Sequence, residues 1–201
     1  MTLDSNSEHR GLTRIHLRWE GPHTFEGVWK MNEPSDYGLY QVYGPHPTGA
    51  TESLLYIGQA NGQTFGERFT NADRQEWCSD GWGDNTVLLR FFTGRVLQTK
   101  DEQQCGAIDD ELWGTYIDLA ERLLIFAHSP HWNSQGIYEL PREQTDDYDN
   151  CHILNWGTRA SLLPEVSGAR YTETVFEQLC DDPLDTRQAD GAGPHRGSVR
   201  R

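Results

Sequence analysis

The chain has 201 residues, 35% of them hydrophobic, and a net charge of −14 from 31 acidic and 17 basic side chains. That length suits one domain with tails, or at most two small ones, and the apolar fraction suffices for a core to which seven Trp contribute. No apolar run approaches the roughly 20 residues of a membrane span, the polar start MTLDSNSEHRGLTR carries no secretory signal, and the acidic excess argues against a broad non-specific grip on nucleic acid.

A soluble, cytoplasmic protein is the expectation. Its four cysteines, Cys78, Cys105, Cys151 and Cys180, are scattered with no C-x-x-C pair. They therefore read as reduced, packed thiols rather than a zinc site. Only two of the 17 basic residues are lysine. Arginine is the better residue for bidentate phosphate contact, so a locally basic groove within an acidic shell stays open.

Residues 1–12 are polar and aperiodic and read as disordered. Ile15 to Trp19 alternates and reads as a short strand. Pro22 to Met31 suits a short helix with Pro in its first turn. Gly38 to Tyr43 and Leu54 to Ile57 read as a hairpin with a long connection. Each run carries a tyrosine beside a glycine. Period-two alternation lets Tyr40 and Tyr56 share one face. Gly38 and Gly58 leave open space there for a ligand to approach the backbone. Cross-strand aromatic packing explains the tyrosines equally well.

Thr64 to about Asp73 reads as a helix. Thr86 to Leu97, TVLLRFFTGRVL, reads as a third strand, with Gly94 marking a bulge or bend. Ile108 to His128 is the clearest helix. Leu112, Tyr116, Leu119, Ala120, Leu123 and Ala127 recur at helical spacing, Asp109 and Asp110 suit its N-terminus, and Pro130 ends it. Glu121 falls between Ile117, Leu124 and Ile125, on a largely apolar stripe. A carboxylate there needs an arginine or a hard divalent metal. Asn133, just past the helix, reads by itself as a turn residue. Asp146 to Asn150 is an acidic loop, Ile153 to Trp156 a short strand and Glu173 to Leu179 a short helix. Residues 181–201 form a Pro/Gly/Asp-rich flexible tail. Three strands with helices set around them suggest a small α+β layer fold, in one domain spanning residues 13–180.

The motifs come in a telling order: Gly38-Leu39-Tyr40, then Leu55-Tyr56-Ile57-Gly58, Arg68 on a helix, Glu121 in AERLLIF and Asn133 in SPHWNS. From Gly38 to Asn133 the chain resembles the GIY-YIG endonuclease superfamily, with Leu in place of Ile in the first motif. The resemblance implies a small three-stranded antiparallel sheet flanked by helices, and a metal-dependent DNA endonuclease of restriction, repair or mobile-element type, with a homodimer as one option. It makes Tyr40, Tyr56, Arg68, Glu121 and Asn133 the catalytic set. Glu121 would hold Mg²⁺ or Mn²⁺, and Arg68 would bind phosphate oxygens through its guanidinium fork. Tyr40 would position or deprotonate the attacking water. A free phenol titrates near pH 10, and a nearby metal and arginine favour the phenolate. Tyr56 would orient water or phosphate, and Asn133 would brace the Glu121 end of the site.

Many members carry a histidine one helical turn after the arginine. Here that position is Ala72, and Arg74 is an alternative helix arginine. The departure keeps a second reading alive, a module of this type that binds nucleic acid or a protein partner with weakened chemistry. Further DNA contacts would come from Arg14, Arg18, Arg90, Arg95 and Lys100, each equally readable as a solvated charge.

Overall fold

The computed structural model describes residues 12–46, 49, 52–70, 88–98, 110–138 and 145–171. Ala72, Arg74, Lys100, Asp109, Cys78, Cys105, Cys180, both tails and the helix expected at 173–179 lie outside them.

Its centre is one six-stranded sheet in the order β3-β2-β4-β1-β5-β6. The strands are β1 (Thr13–His23), β2 (Gly38–Gly44), β3 (Ser53–Ala60), β4 (Arg90–Leu97), β5 (Cys151–Gly157) and β6 (Glu165–Ser167). The sheet is mixed: β1 pairs with β5 in parallel, and the other neighbours are antiparallel. The expectation of a small three-stranded antiparallel sheet flanked by helices is therefore wrong. The error has a physical cause. Ile15 to Trp19 is the middle of an 11-residue strand, and it recruits β5 through pairs such as Ile15 with Ile153. Such a pairing joins residues far apart in sequence and leaves no local signature.

Among the described residues four α-helices sit on this sheet: α1 (Phe25–Trp29), α2 (Phe65–Thr70), α3 (Asp110–His128) and α4 (Thr145–Asp149). Of these four, α3 alone exceeds six residues. The helix expected from Pro22 starts later, because Pro22 still belongs to β1 and Thr24 caps α1 by accepting from the Gly27 amide at 3.1 Å.

The apolar side chains form two cores. One joins Ile15, Leu17 and Trp19 of β1, Leu39, Ile57, Phe92 and Ile153 to Ile117, Ala120, Leu123, Leu124 and Ile125 of α3. The other joins Val28 of α1, Tyr40, Val42, Leu55 and Phe91 to Phe65 and Phe69 of α2. Leu39 and Tyr40 are neighbours in an extended strand, so the two cores lie on opposite faces of the sheet. Burying each aromatic or branched side chain contributes about 1.5–3 kcal/mol. The helix stripe is thus real, although Leu112, counted within it, is 39% exposed near the N-terminal end. Cys151 is packed in the first core, where burial pushes its thiol up to about 12, out of range of ordinary reactivity.

Gly94 marks no bulge. It sits in register with both Trp19 and Leu39, and a Cβ on it would lie 2.7 Å from the Trp19 ring. The sheet gives that space to the indole, whose Nε1 donates to Asn155 Oδ1 at 2.8 Å. The register shifts fall elsewhere: between Glu20 and His23 opposite Phe91 to Thr93, and between Val42 and Tyr43 opposite Leu54 to Tyr56. One consequence is that Leu55 and Tyr56 both pack toward the second core, while Leu54 and Ile57 pack toward the first.

Candidate active site

Strand β3 is an edge of the sheet. Its open side needs partners for its backbone groups. The loop after α3 supplies them. The Trp132 amide donates to the Leu55 carbonyl at 2.7 Å. Asn133 then behaves as a strand in miniature: its Oδ1 accepts from the Ile57 amide at 3.0 Å, and its Nδ2 donates to the Ile57 carbonyl at 2.9 Å. Replacing Asn133 by Ala strips both partners from a buried residue, at about 1–3 kcal/mol for each group left unsatisfied. Asn133→Ala is expected to lower stability by about 2–4 kcal/mol, read as an earlier urea midpoint; an unchanged midpoint would refute the strand-capping role.

Between this loop, β3 and α3 lies an open cleft of about 900 Å³, lined by Tyr56, Gln59, Glu121, Arg122, Trp132, Asn133 and Tyr138 among others. Glu121 lines it, and Gln59 links that carboxylate to Asp118 just outside the lining. Gln59 Nε2 donates to Glu121 Oε2 at 2.8 Å and to Asp118 Oδ1 at 2.7 Å. Burial pushes the Glu121 carboxyl up to about 7, and the Asp118 charge adds to the shift; Gln59, Arg68 and Arg122 oppose it. Asp118 and Glu121 are three positions apart on one helix and so share a face.

The two tyrosines stack as the hairpin pattern allows. Their ring centroids are 6.0 Å apart with planes 24° from parallel. The Tyr40 ring also meets Phe69 edge-on at 4.9 Å and has no exposed surface. The open space expected at the two motif glycines is taken. A Cβ on Gly58 would lie 2.5 Å from both the Tyr40 hydroxyl and Tyr56 Cε1, and one on Gly38 would lie 2.3 Å from the Gly94 carbonyl oxygen. Both glycines serve close packing rather than ligand approach.

The five expected residues are brought together only in part. Helix α3, which carries Glu121, packs on the Leu39/Ile57 face, whereas Tyr40, Tyr56 and α2 with Arg68 belong to the opposite face. Because β3 is an edge, Tyr56 and Glu121 nevertheless line the same cleft around that edge, with Asn133 between their elements. The positive charge of Arg68 reaches Glu121. Its Nε is buried with no hydrogen-bond partner among the described residues. Tyr40 does not line the cleft; it backs Tyr56.

Sequence reasoning passes over four residues of this site. Asp118 was findable from its i−3 spacing to Glu121. Gln59 directly follows Tyr-Ile-Gly, but only the sheet register shows that it points to α3. Trp132 and Tyr138 flank Asn133 in a loop with no periodicity to read.

Comparison with protein-family profiles, with curated proteins and with solved structures returned no match to this chain.

Proposed function

We propose that this chain is a divalent-metal-dependent endonuclease that hydrolyses phosphodiester bonds of DNA at the β3-edge cleft. The observation that carries the reading is the half-buried Glu121 carboxyl, joined to Asp118 through one glutamine amide and lining the same cleft as Tyr56. The ordered motifs of the GIY-YIG resemblance support it.

The donor set fits a hard cation. Among the described residues no group of three or more Asp, Glu, His or Cys gathers. Mg²⁺ is usually held by one or two carboxylates and completes its shell with waters and substrate phosphate, so Glu121 with Asp118 suffices. The buried Gln59 Oε1, which has no hydrogen-bond partner among the described residues, is a further hard oxygen on the same side chain. When bound there, Mg²⁺ or Mn²⁺ would offset charge on the non-bridging and leaving oxygens of the phosphodiester.

The protein's own groups do the rest. Arg68 does not line the cleft, but its positive charge reaches Glu121, so its role is to offset negative charge at the site through space rather than to contact the phosphate. Of the two phenols Tyr56 reaches the cleft, so it positions the attacking water, and Tyr40 holds the Tyr56 ring from behind. Asn133 fixes the β3 edge against the loop and thereby keeps Tyr56 and Glu121 at one spacing.

The test is nicking of supercoiled plasmid with Mg²⁺ or Mn²⁺ by nuclease-free protein. Tyr56→Phe is expected to lower kcat about 10²-fold, and Tyr40→Phe to stay within about threefold. The opposite ranking would make Tyr40 the water-positioning phenol. Absence of cutting under every divalent ion would sink the catalytic reading.

A second reading, binding without turnover, is favoured by the complete enclosure of Tyr40. Calorimetric titration with Mg²⁺ separates the two, because a site without metal chemistry gives no heat that Glu121→Ala removes.

A further inference from the structure

We infer that the cleft takes an unpaired, single-stranded stretch of nucleic acid, held chiefly by base stacking on Tyr138 and Trp132. The inference rests on the endonuclease reading for its phosphodiester and adds the class of substrate.

The first argument is charge. Arg122 is the one cation among the described residues lining the cleft, and it lies 4.0 Å from the Asp118 carboxylate. Arg68 acts on the site without lining it. Duplex binding without base readout depends on several phosphate contacts from Lys and Arg. Among the described residues the lining offers one arginine, fewer than such a grip uses. A single strand can be held with fewer, because each base offers a π-face whatever its identity.

The second argument is shape. At about 900 Å³ the cleft lies near the top of the roughly 300–1,000 Å³ range of small-ligand sites. That suits a short run of nucleotides.

The third argument is the wall. Trp132 and Tyr138 come from one loop, and Tyr138 is 86% exposed at the cleft. The loop is pinned to β3 through the Trp132 amide and the Asn133 side chain. Ile137 packs into the core of the α3 face, while Trp132 packs against the core of the other. The loop therefore wraps the β3 edge and places Trp132 and Tyr138 on the cleft wall with Glu121. Gln135, exposed on the same wall, adds an amide donor and acceptor.

The experiment is fluorescence anisotropy on the full chain in EDTA, which separates binding from cutting. The probes are a fluorescein-labelled 12-nucleotide oligothymidylate and a blunt 12-base-pair duplex. The single strand is expected to bind at least about tenfold more tightly. Its log Kd against log salt should have a slope magnitude near 1, as one or two neutralised phosphates require. Tyr138→Ala should weaken the single strand about tenfold and leave the duplex unchanged, and Tyr138→Phe should restore binding. Residue 138 is exposed enough that neither change endangers folding. Equal affinity for the two probes, no binding of the single strand, or an unaffected Tyr138→Ala each overturns the inference. Failure of the endonuclease reading is distinguishable. Protein that binds oligothymidylate through Tyr138 yet never cuts plasmid keeps the stacking cleft and loses the hydrolase; protein that cuts plasmid but ignores the single strand does the reverse.

Discussion

Glu121→Gln should abolish plasmid nicking and at the same time make the metal-free protein more stable above pH 7. The loss follows from the role proposed for the carboxylate: the charge stabilisation that a bound metal supplies amounts to several kcal/mol, so a drop of about 10³-fold or more is expected. The gain follows from the raised pKa. Burial, then the Asp118 charge, hold the Glu121 carboxyl at about 7 against an ordinary value of 4.5. The folded protein therefore binds this proton more tightly than the unfolded chain does. Its stabilising effect is complete below pH 4.5, fades as the pH rises toward 7, and above 7 leaves a buried charge that costs about 2–3 kcal/mol. Glutamine is neutral at every pH and can still accept from Gln59 Nε2. In EDTA at pH 8 the variant should melt several degrees higher than wild type, since about 1 kcal/mol moves Tm by roughly 2–4 °C for a chain of this size. At pH 4.5 the two should coincide, and saturating Mg²⁺ should close the gap at pH 8 by stabilising only the wild type. A residue kept for packing would not trade stability for activity in this way. If Glu121→Gln melts lower at pH 8, or still nicks plasmid, the carboxylate is not the metal-holding group.

How much of this site the sequence discloses depends on how local each part is. The hairpin of β2 and β3, the long helix and the apolar stripe around Glu121 are local patterns of period two or 3.6, and they read directly. The need of Glu121 for a partner is also legible, because a carboxylate between Ile117, Leu124 and Ile125 cannot stay uncompensated. Its partner is not legible. Gln59 reaches α3 only because Ile57 and Gln59 point to the face opposite Tyr56 and Gly58, and the bulge at Leu55 shifts the alternation before them. The sheet beyond β4 is hidden for the same reason. Strand β1 shows its alternation, yet nothing near it in the chain announces a parallel partner at Cys151–Gly157. Asn133 reads as a turn residue because its work, capping an edge strand, is defined by a partner 76 positions away.

The motif glycines make the sharpest separation between fold and site, and substitution at each should give opposite patterns. Gly38 has φ +134°, a conformation that strains any side chain, and the Cβ of an alanine there would meet a backbone oxygen, that of Gly94, at 2.3 Å. Gly94 cannot withdraw, since the Trp19 ring lies against its other side and is itself held by Asn155. Backbone strain of about 1–3 kcal/mol adds to the displacement of β2 from β4, so Gly38→Ala should cost about 3 kcal/mol or more. That is a large part of the 5–15 kcal/mol typical of a domain. A urea titration should show it as a midpoint shifted far down, with residual cutting in proportion to the folded fraction. Gly58→Ala meets the Tyr40 hydroxyl and Tyr56 Cε1, both at 2.5 Å; Tyr40 is enclosed, so the half-buried Tyr56 ring has to swing aside. Its stability cost should be smaller, about 1–2 kcal/mol, but the swing carries Tyr56 away from the cleft and should lower kcat in protein that remains folded. A Gly38→Ala variant with an unaltered midpoint would mean that β2 and β4 do not approach as closely as the sheet requires. A Gly58→Ala variant with full turnover would mean that the stacked phenols are packing alone, and the water-positioning role of Tyr56 would fall with them.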